Sequence, residues 1–265
     1  MRKWCGLLLA LALCLSSPCL WARAQPIDYR VLSAMVKAGK TSDFEHALAG
    51  KSARDLNSEG RTLLMTQAID GGHADILNIL LRLGVDPNGL MQVEQSGQRV
   101  QVTPLLLAVS ARDGRATAAA LIAAGADPNL GAEALLPLHL ALSLGRLELA
   151  GDLLDHGAQA GKVDGSGFTA LMELALGADD ANPATATMAQ RLVTAGVEVN
   201  ARGPQGSTAL RWAVLGSKPN LVKALLAAHA DPNSANDKGE TVLQLALRKQ
   251  FAEIAALLRN AGARS

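Results

Sequence analysis

Side chains that could do chemistry are few and scattered along this chain. The five histidines are His46, His73, His139, His156 and His229. None lies three or four residues from another, the spacing that places two metal ligands on one face of a helix. The sequence also lacks the His-Glu-x-x-His, Gly-x-Ser-x-Gly, Gly-x-Gly-x-x-Gly and Gly-x-x-x-x-Gly-Lys-Ser/Thr motifs. We therefore expect no metal site and no cofactor.

A few carboxylates merit separate consideration. Glu173 stands in an otherwise apolar helical segment, where burial can raise the pKa of an acid for proton transfer. No second catalytic group accompanies it, so we expect Glu173 to line an open groove and stay ionised. Asp179, Asp180 and Asn182 offer oxygen atoms to calcium, but the later glutamate of a calcium loop is missing. A solvated loop is the expectation there.

Composition limits the class of partner. The 265 residues include 25 Lys+Arg and 24 Asp+Glu, which gives a formal net charge of +1. A protein that binds nucleic acid over an extended surface carries a strongly basic face. The near balance of charge therefore argues against nucleic acid as the partner.

The first residues have the pattern of a cleavable signal peptide. Arg2 and Lys3 precede the apolar run 6–15, and the small residues of 22–24 form a cleavage site. The run is shorter than the roughly 20 apolar residues of a membrane span. We expect residues 1–24 to be removed and the protein to be periplasmic or secreted, without membrane insertion after cleavage. All three cysteines lie in this segment.

The remainder of the chain is one unit repeated. Six segments share a Thr-Pro-Leu-His-like start, and their spacings are 41, 33, 33, 39 and 33 residues. These starts are Thr62, Thr103, Leu136, Thr169, Thr208 and Thr241. Each is followed by two apolar helical stretches and then by a Gly-Ala-Asp-Pro-Asn-like turn, as at 84–88 and 125–129. Neither helix can bury its apolar side alone, so the units must stack.

These starts and turns resemble those of the ankyrin repeat family, in the manner of an exported bacterial member. The resemblance implies an all-α ankyrin repeat solenoid of about seven stacked helix–turn–helix units with β-hairpin fingers. It covers residues 25–265 as one domain. Its expected units are 30–57 as a cap, 58–88, 98–129, 130–162, 163–200, 201–233 and 234–265 as a cap, with an insertion at 89–102.

Two insertions and two substitutions depart from the regular unit. In the insertion at 89–102, two alternating stretches flank Ser96-Gly97 and predict a lengthened two-stranded finger. A second insertion, near 178–184, predicts a longer loop between paired helices. Leu136 replaces the capping threonine, which weakens that helix start by about 1 kcal/mol. His229 replaces the glycine that ends a helix in the left-handed conformation.

The resemblance also implies which residues contact a partner, because the family binds proteins through its turn tips and concave groove. The tip positions give Glu59, Arg61, Gln205, Asp237 and Lys238, and the lengthened finger adds Glu94 and Arg99. Phe168 is an aromatic residue at a tip. It either contacts the partner or folds back onto the stack.

Trp212 and Arg211 complete the set of candidates. Residues of these types are frequent hot spots of interfaces. Trp212 is as consistent with packing between units as with binding, whereas we expect Arg211 to be exposed.

The function that follows is an exported protein–protein interaction module. The partner is a protein of unknown identity, and the roles considered are inhibitor or immunity protein and accessory factor. We expect a monomer without enzymatic activity. Two alternatives stay open: an enzyme with a shallow groove site near Glu173 or His139, and a purely structural spacer.

Overall fold

The computed structural model describes residues 27–95, 98–132 and 135–264. The predicted signal peptide at 1–24 and the predicted turn at Ser96-Gly97 lie outside the described residues. Within them, none of the helices is long and apolar enough to cross a membrane.

The described residues form fourteen α-helices, arranged as successive short pairs, and one two-stranded antiparallel sheet. The elements are α1 (Tyr29–Lys37), α2 (Thr41–Ala47), α3 (Ser58–Asp70), α4 (Ala74–Arg82), β1 (Met91–Gln95), β2 (Gln98–Val102), α5 (Pro104–Ser110), α6 (Arg115–Ala123), α7 (Pro137–Ser143), α8 (Leu147–Asp155), α9 (Ala170–Gly177), α10 (Pro183–Thr194), α11 (Ala209–Leu215), α12 (Pro219–Ala227), α13 (Val242–Arg248) and α14 (Ala252–Asn260). The mostly helical repeat architecture predicted from the sequence is confirmed.

The helix pairs stack into two layers. First helices contact first helices of the next pair, as α7 contacts α9, and second helices contact second helices, as α10 contacts α12. Leucine and alanine side chains fill one continuous core, including the fully buried Leu142, Ala175 and Val214. The two-layer design explains why so few aromatic residues suffice, since each layer is one helix thick.

Threonine caps fix where most first helices begin. The Oγ1 atoms of Thr103, Thr208 and Thr241 each accept a hydrogen bond from the backbone N–H three residues later. Leu136, at the same position before α7, provides no side-chain cap, as predicted.

The first helix of the second pair departs from the predicted boundary. Thr62 lies inside α3, which begins at Ser58, one turn earlier. Asn57 is the cap instead, and its Oδ1 accepts a hydrogen bond from Gly60 N at 2.7 Å. The prediction that Glu59 and Arg61 occupy a turn tip is therefore wrong, because both lie on this longer helix.

Asparagines tie neighbouring turns together. Asn88 accepts a hydrogen bond from Asp127 N at 2.8 Å and donates one to Gly125 O at 3.0 Å. Asn129, Asn200 and Asn233 make the same pair of contacts with the turn that follows each. Gly161 occupies this position before the longer unit, so the ladder is interrupted there. At the end of α12, His229 takes the left-handed φ of 65° that its glycine-like position requires.

The first insertion forms the predicted finger. Strands β1 and β2 pair antiparallel, with Met91 opposite Val102 and Val93 opposite Val100. These four side chains share one face, and β1 contacts α3 through it. In three later turns the finger shortens to a single bridge, such as that of Val163 with Thr169.

The second insertion is part helix and part clamp. It lengthens α10 to 12 residues and leaves a loop at 178–182. The Asp180 carboxylate accepts hydrogen bonds from Asn220 N at 3.1 Å and Leu221 N at 2.9 Å, at the start of α12. Asn182 caps α10 through Ala184 N. The predicted loop is present and Asp179 and Ala181 are exposed, but Asp180 is not simply solvated, because its carboxylate binds the next unit.

Candidate functional site

A groove of about 970 Å³ lies between the β1–β2 hairpin and the first helices α3, α5 and α7. The helices form its floor with Leu63, Leu107 and Leu140, and the hairpin forms one wall. Ala132 and Leu135 of the next turn also line the groove. A volume of this size accommodates several side chains of one bound segment.

Exposed leucines distinguish this groove from the ordinary surface. Leu63, Leu90 and Leu135 line it, and their exposed fractions are 40%, 59% and 49%. Single exposed leucines are common on proteins, but several that meet in one concave site indicate an interaction surface.

Charged groups border the apolar floor. Glu59 and Asp70 lie on α3, and Glu94 and Arg99 lie opposite one another on the hairpin. None of these four makes an ion pair within the part of the chain that the structure describes. Partial burial raises the pKa of Asp70. Glu59 and Asp70 of α3 therefore present two carboxylates to the groove, whereas Glu94 and Arg99 lie on the face of the hairpin opposite Val93 and Val100.

The structure thus brings together three of the residues predicted to bind a partner: Glu59, Glu94 and Arg99. Sequence reasoning missed Leu63, Leu90, Leu135 and Asp70. A signal for part of this set was present, since Glu59, Leu63, Thr66 and Asp70 recur at helical spacing on one face of α3.

The two aromatic candidates contact each other far from this groove. The rings of Phe168 and Trp212 lie 5.5 Å apart between centroids, at 40° to one another. Both side chains are half-buried and pack against the core. Of the two readings left open for each residue, the structure favours packing between neighbouring units.

Arg211 contradicts its prediction. It is only 6% exposed, and its guanidinium donates hydrogen bonds to the Glu240 carboxylate and, at 3.0 Å, to the Glu240 carbonyl oxygen. Arg248 binds the other carboxylate oxygen at 2.7 Å. The hydrogen bonds from Arg211 and Arg248 hold the pKa of Glu240 below its usual value. The prediction of an exposed Arg211 is wrong because this helix position faces the following unit.

The remaining tip candidates also lie in the C-terminal part of the chain. Asp237 accepts a hydrogen bond from Arg202 at 3.0 Å, so it is partly occupied inside the protein. Gln205 and Lys238 are exposed beside it, and Gln205 adopts a left-handed φ of 58°. The structure does not join these residues to the groove under the hairpin.

Glu173 departs from expectation in a different way. Burial raises its pKa from 4.5 to about 7, and the charge of Asp164 and a hydrogen bond with that carboxyl act in the same direction. With this pKa, Glu173 is about half protonated near neutral pH, rather than fully ionised as the sequence predicted. His139 lies close to the same aspartate, and its ring is almost fully buried. Burial lowers the pKa of His139, whereas Asp164 and the carbonyls of Lys162 and Phe168 oppose that shift.

Within the described ranges, no group of three or more His, Cys, Asp or Glu side chains is arranged to hold a metal ion. What the candidate site offers is shape, apolar area and charge.

The sequence and the fold are similar to those of known ankyrin repeat proteins. A model described as ankyrin repeats in three copies matches residues 180–265, and a single ankyrin repeat model matches residues 59–90. The chain is similar to an ankyrin repeat domain from Acinetobacter baumannii, with 29% identity and a TM-score of 0.63. That match covers 76% of this chain and 98% of the solved domain.

Longer proteins match as well, each in part. The E3 ubiquitin-protein ligase KEG of Arabidopsis thaliana is 31% identical over 68% of this chain and 11% of the ligase. The nuclear factor NF-kappa-B p105 subunit of Gallus gallus is 32% identical over 83% of this chain and 23% of that subunit. The chain therefore spans less than a quarter of either relative. The paired helices, the two family models and the solved domain together show that the chain belongs to the ankyrin repeat family.

Proposed function

We propose that this chain binds another protein through the groove under its β1–β2 hairpin. Ankyrin repeat domains are in general protein–protein interaction modules, and the fold is typically non-enzymatic. The observation that carries the proposal is the convergence of Leu63, Leu90 and Leu135 in one concave site, all substantially exposed. Burying such side chains against a partner contributes about 25 cal/mol for each Å² of apolar area.

We also propose that all seven helix pairs are ankyrin units, with the outer two as caps. The protein acts as a monomer that is exported to the periplasm or secreted, as the pattern of residues 1–24 supports. There it serves as an inhibitor or immunity protein, or as an accessory factor, and its target is a protein rather than nucleic acid.

The surroundings of Glu173 and His139 do not favour the enzymatic alternative. Glu173 has the raised pKa of an acid catalyst, but its contact is a second carboxyl, Asp164, within an interface between units. His139 is almost fully buried and so cannot reach a substrate. The ligase among the relatives matches through a small part of its length, so its activity is not carried over.

Photo-crosslinking from two positions tests the proposal. A benzophenone side chain at Leu90 faces the groove, and one at Lys223 of α12 is exposed on the second layer of helices. We expect the chain in its native cells to yield one dominant adduct from position 90 that is absent from position 223. Equal adducts from both positions, or adducts from position 223 alone, would contradict binding in the groove.

A further inference from the structure

We infer that the segment bound under the hairpin is cationic and apolar: a stretch of partner chain in which aliphatic side chains alternate with lysine or arginine. This inference rests on the proposed function and adds the chemistry of the occupant. It depends on the arrangement of apolar and charged groups around the groove.

The apolar side chains that line the groove indicate that the bound segment carries aliphatic side chains. Leu63 on α3 and Leu135 on the next turn both line the space, and Val93 and Val100 line it from the hairpin. Aliphatic side chains that enter between these surfaces lose their contact with water on both sides. A purely polar segment would not provide apolar side chains against which the exposed leucines could be buried.

The charged residues that line the groove indicate that the bound segment is cationic. Glu59 and Asp70 stand along one face of α3, and Glu94 belongs to the hairpin, on the face opposite Val93. Arg99 is the one cation that lines the groove within the described residues, and it stands in register with Glu94. Neutralising that pair still leaves the two carboxylates of α3.

The raised pKa of Asp70 points in the same direction. Within the described residues, desolvation is the one cause of this shift and no internal cation opposes it, so a partner's ammonium or guanidinium beside the Asp70 carboxylate would lower the pKa again. An acidic segment or a nucleic acid would instead bring like charges together. Such juxtaposition is unfavourable at an interface.

Electrostatic attraction at this rim should be modest for each pair. Exposed ion pairs contribute roughly 0.2–1 kcal/mol each, so the two carboxylates of α3 together change affinity by up to about tenfold. The leucines then provide most of the affinity, and the carboxylates provide the preference between segments.

Three fluorescein-labelled peptides of equal length test the inference by anisotropy with the full chain. Each has the same four leucines, which alternate with lysine, glutamine or glutamate. A fourth peptide combines the lysines with serine in place of leucine. We expect the lysine–leucine peptide to bind about tenfold more tightly than the glutamate–leucine peptide, and the lysine–serine peptide to bind most weakly.

Matched variants locate the effect. The triple variant Glu59→Gln, Asp70→Asn and Glu94→Gln should lose about tenfold in affinity for the lysine–leucine peptide. The control triple Glu148→Gln, Glu198→Gln and Glu253→Gln changes the net charge equally at exposed positions outside the groove. It should keep wild-type affinity, and thermal melting of both triples checks that they fold.

The possible failures are distinguishable. Equal affinity for all three leucine peptides, lost in a Leu63→Ser/Leu90→Ser variant, would overturn the cationic preference and keep the groove as a docking site. Equal loss in the two triple variants would overturn the local charge argument. Failure of the lysine–leucine peptide to bind below about 1 mM would overturn the inference, while crosslinking from position 90 tests the groove independently.

Discussion

The groove region and the C-terminal part of the chain use the same kinds of side chain for opposite purposes. Around the hairpin, Glu59, Glu94 and Arg99 have no ion-pair partners among the described residues. Further along the chain, the side chains of Arg211 and Asp180 each form hydrogen bonds with the unit that follows. Whether a charged side chain is exposed therefore depends on the hydrogen-bonding groups that the neighbouring unit presents to it.

The two insertions show the same contrast. The hairpin at 89–102 leans over the first helices and leaves a groove beneath it. The loop at 178–182 lies against the next unit, where Lys218 Nζ also donates to the carbonyls of Ala175 at 2.7 Å and Leu176 at 3.0 Å. An insertion that satisfies its neighbours stabilises the stack, and one that leaves a concave apolar surface creates a site.

Loss of Arg211 should cause the largest loss of stability. Arg211→Ala leaves the Glu240 carboxylate and carbonyl without their nearly buried donor, which costs about 3 kcal/mol of unfolding free energy. Urea denaturation should show this, with Arg99→Ala within about 0.5 kcal/mol of wild type as the exposed control. Equal stability of the two variants would remove the contrast between the regions.

The clamp at the second insertion should rank next. Asp180→Ala removes two hydrogen bonds to backbone N–H groups at the start of α12, at a cost of about 2 kcal/mol. Shortening the hairpin should change stability by less than this. Thermal melting compares the two, and a larger loss from the shortened hairpin would show that the hairpin, and not the clamp, is the structural insertion.

The aromatic pair gives a somewhat smaller effect. Phe168→Ala removes a half-buried ring that packs on Trp212, and we expect a cost of about 1–2 kcal/mol. Peptide binding in the distant groove should be unchanged. A normal melting temperature together with weakened partner binding would instead return Phe168 to the set of contact residues.

The pH dependence of Glu173 gives the smallest effect. Its pKa in the folded state is about 7, above the ordinary 4.5, so the folded state binds more protons between these values. The contribution of Glu173 to stability is therefore most favourable with the acid protonated and is lost as pH rises from 4.5 to 7. Glu173→Gln should stabilise the protein by about 1 kcal/mol at pH 8, allowing for solvent screening, and hardly at pH 4. Stabilisation of the same size at both pH values would exclude this cause.

Local patterns predicted the repeat and the hairpin, because caps, turns and strand alternation are encoded within a few residues. The burial of Arg211 was not predictable in this way, since it depends on Glu240 in the next unit. The pKa of Glu173 likewise depends on Asp164, which precedes its helix in an interface between units. The lean of the hairpin over α3 depends on packing against helices far from the insertion itself. Side-chain contacts between units therefore limited the prediction of the site more than that of the fold.

The most direct test of the central claim compares partner affinity with and without the hairpin. Replacing residues 92–101 by Asn-Gly joins Met91 to Val102 through a two-residue turn, which suits their antiparallel pairing. The measurement is the Kd for the protein crosslinked from position 90, for both chains at equal foldedness by circular dichroism. We predict at least a tenfold loss of affinity in the shortened chain. Unchanged affinity would contradict binding under the hairpin.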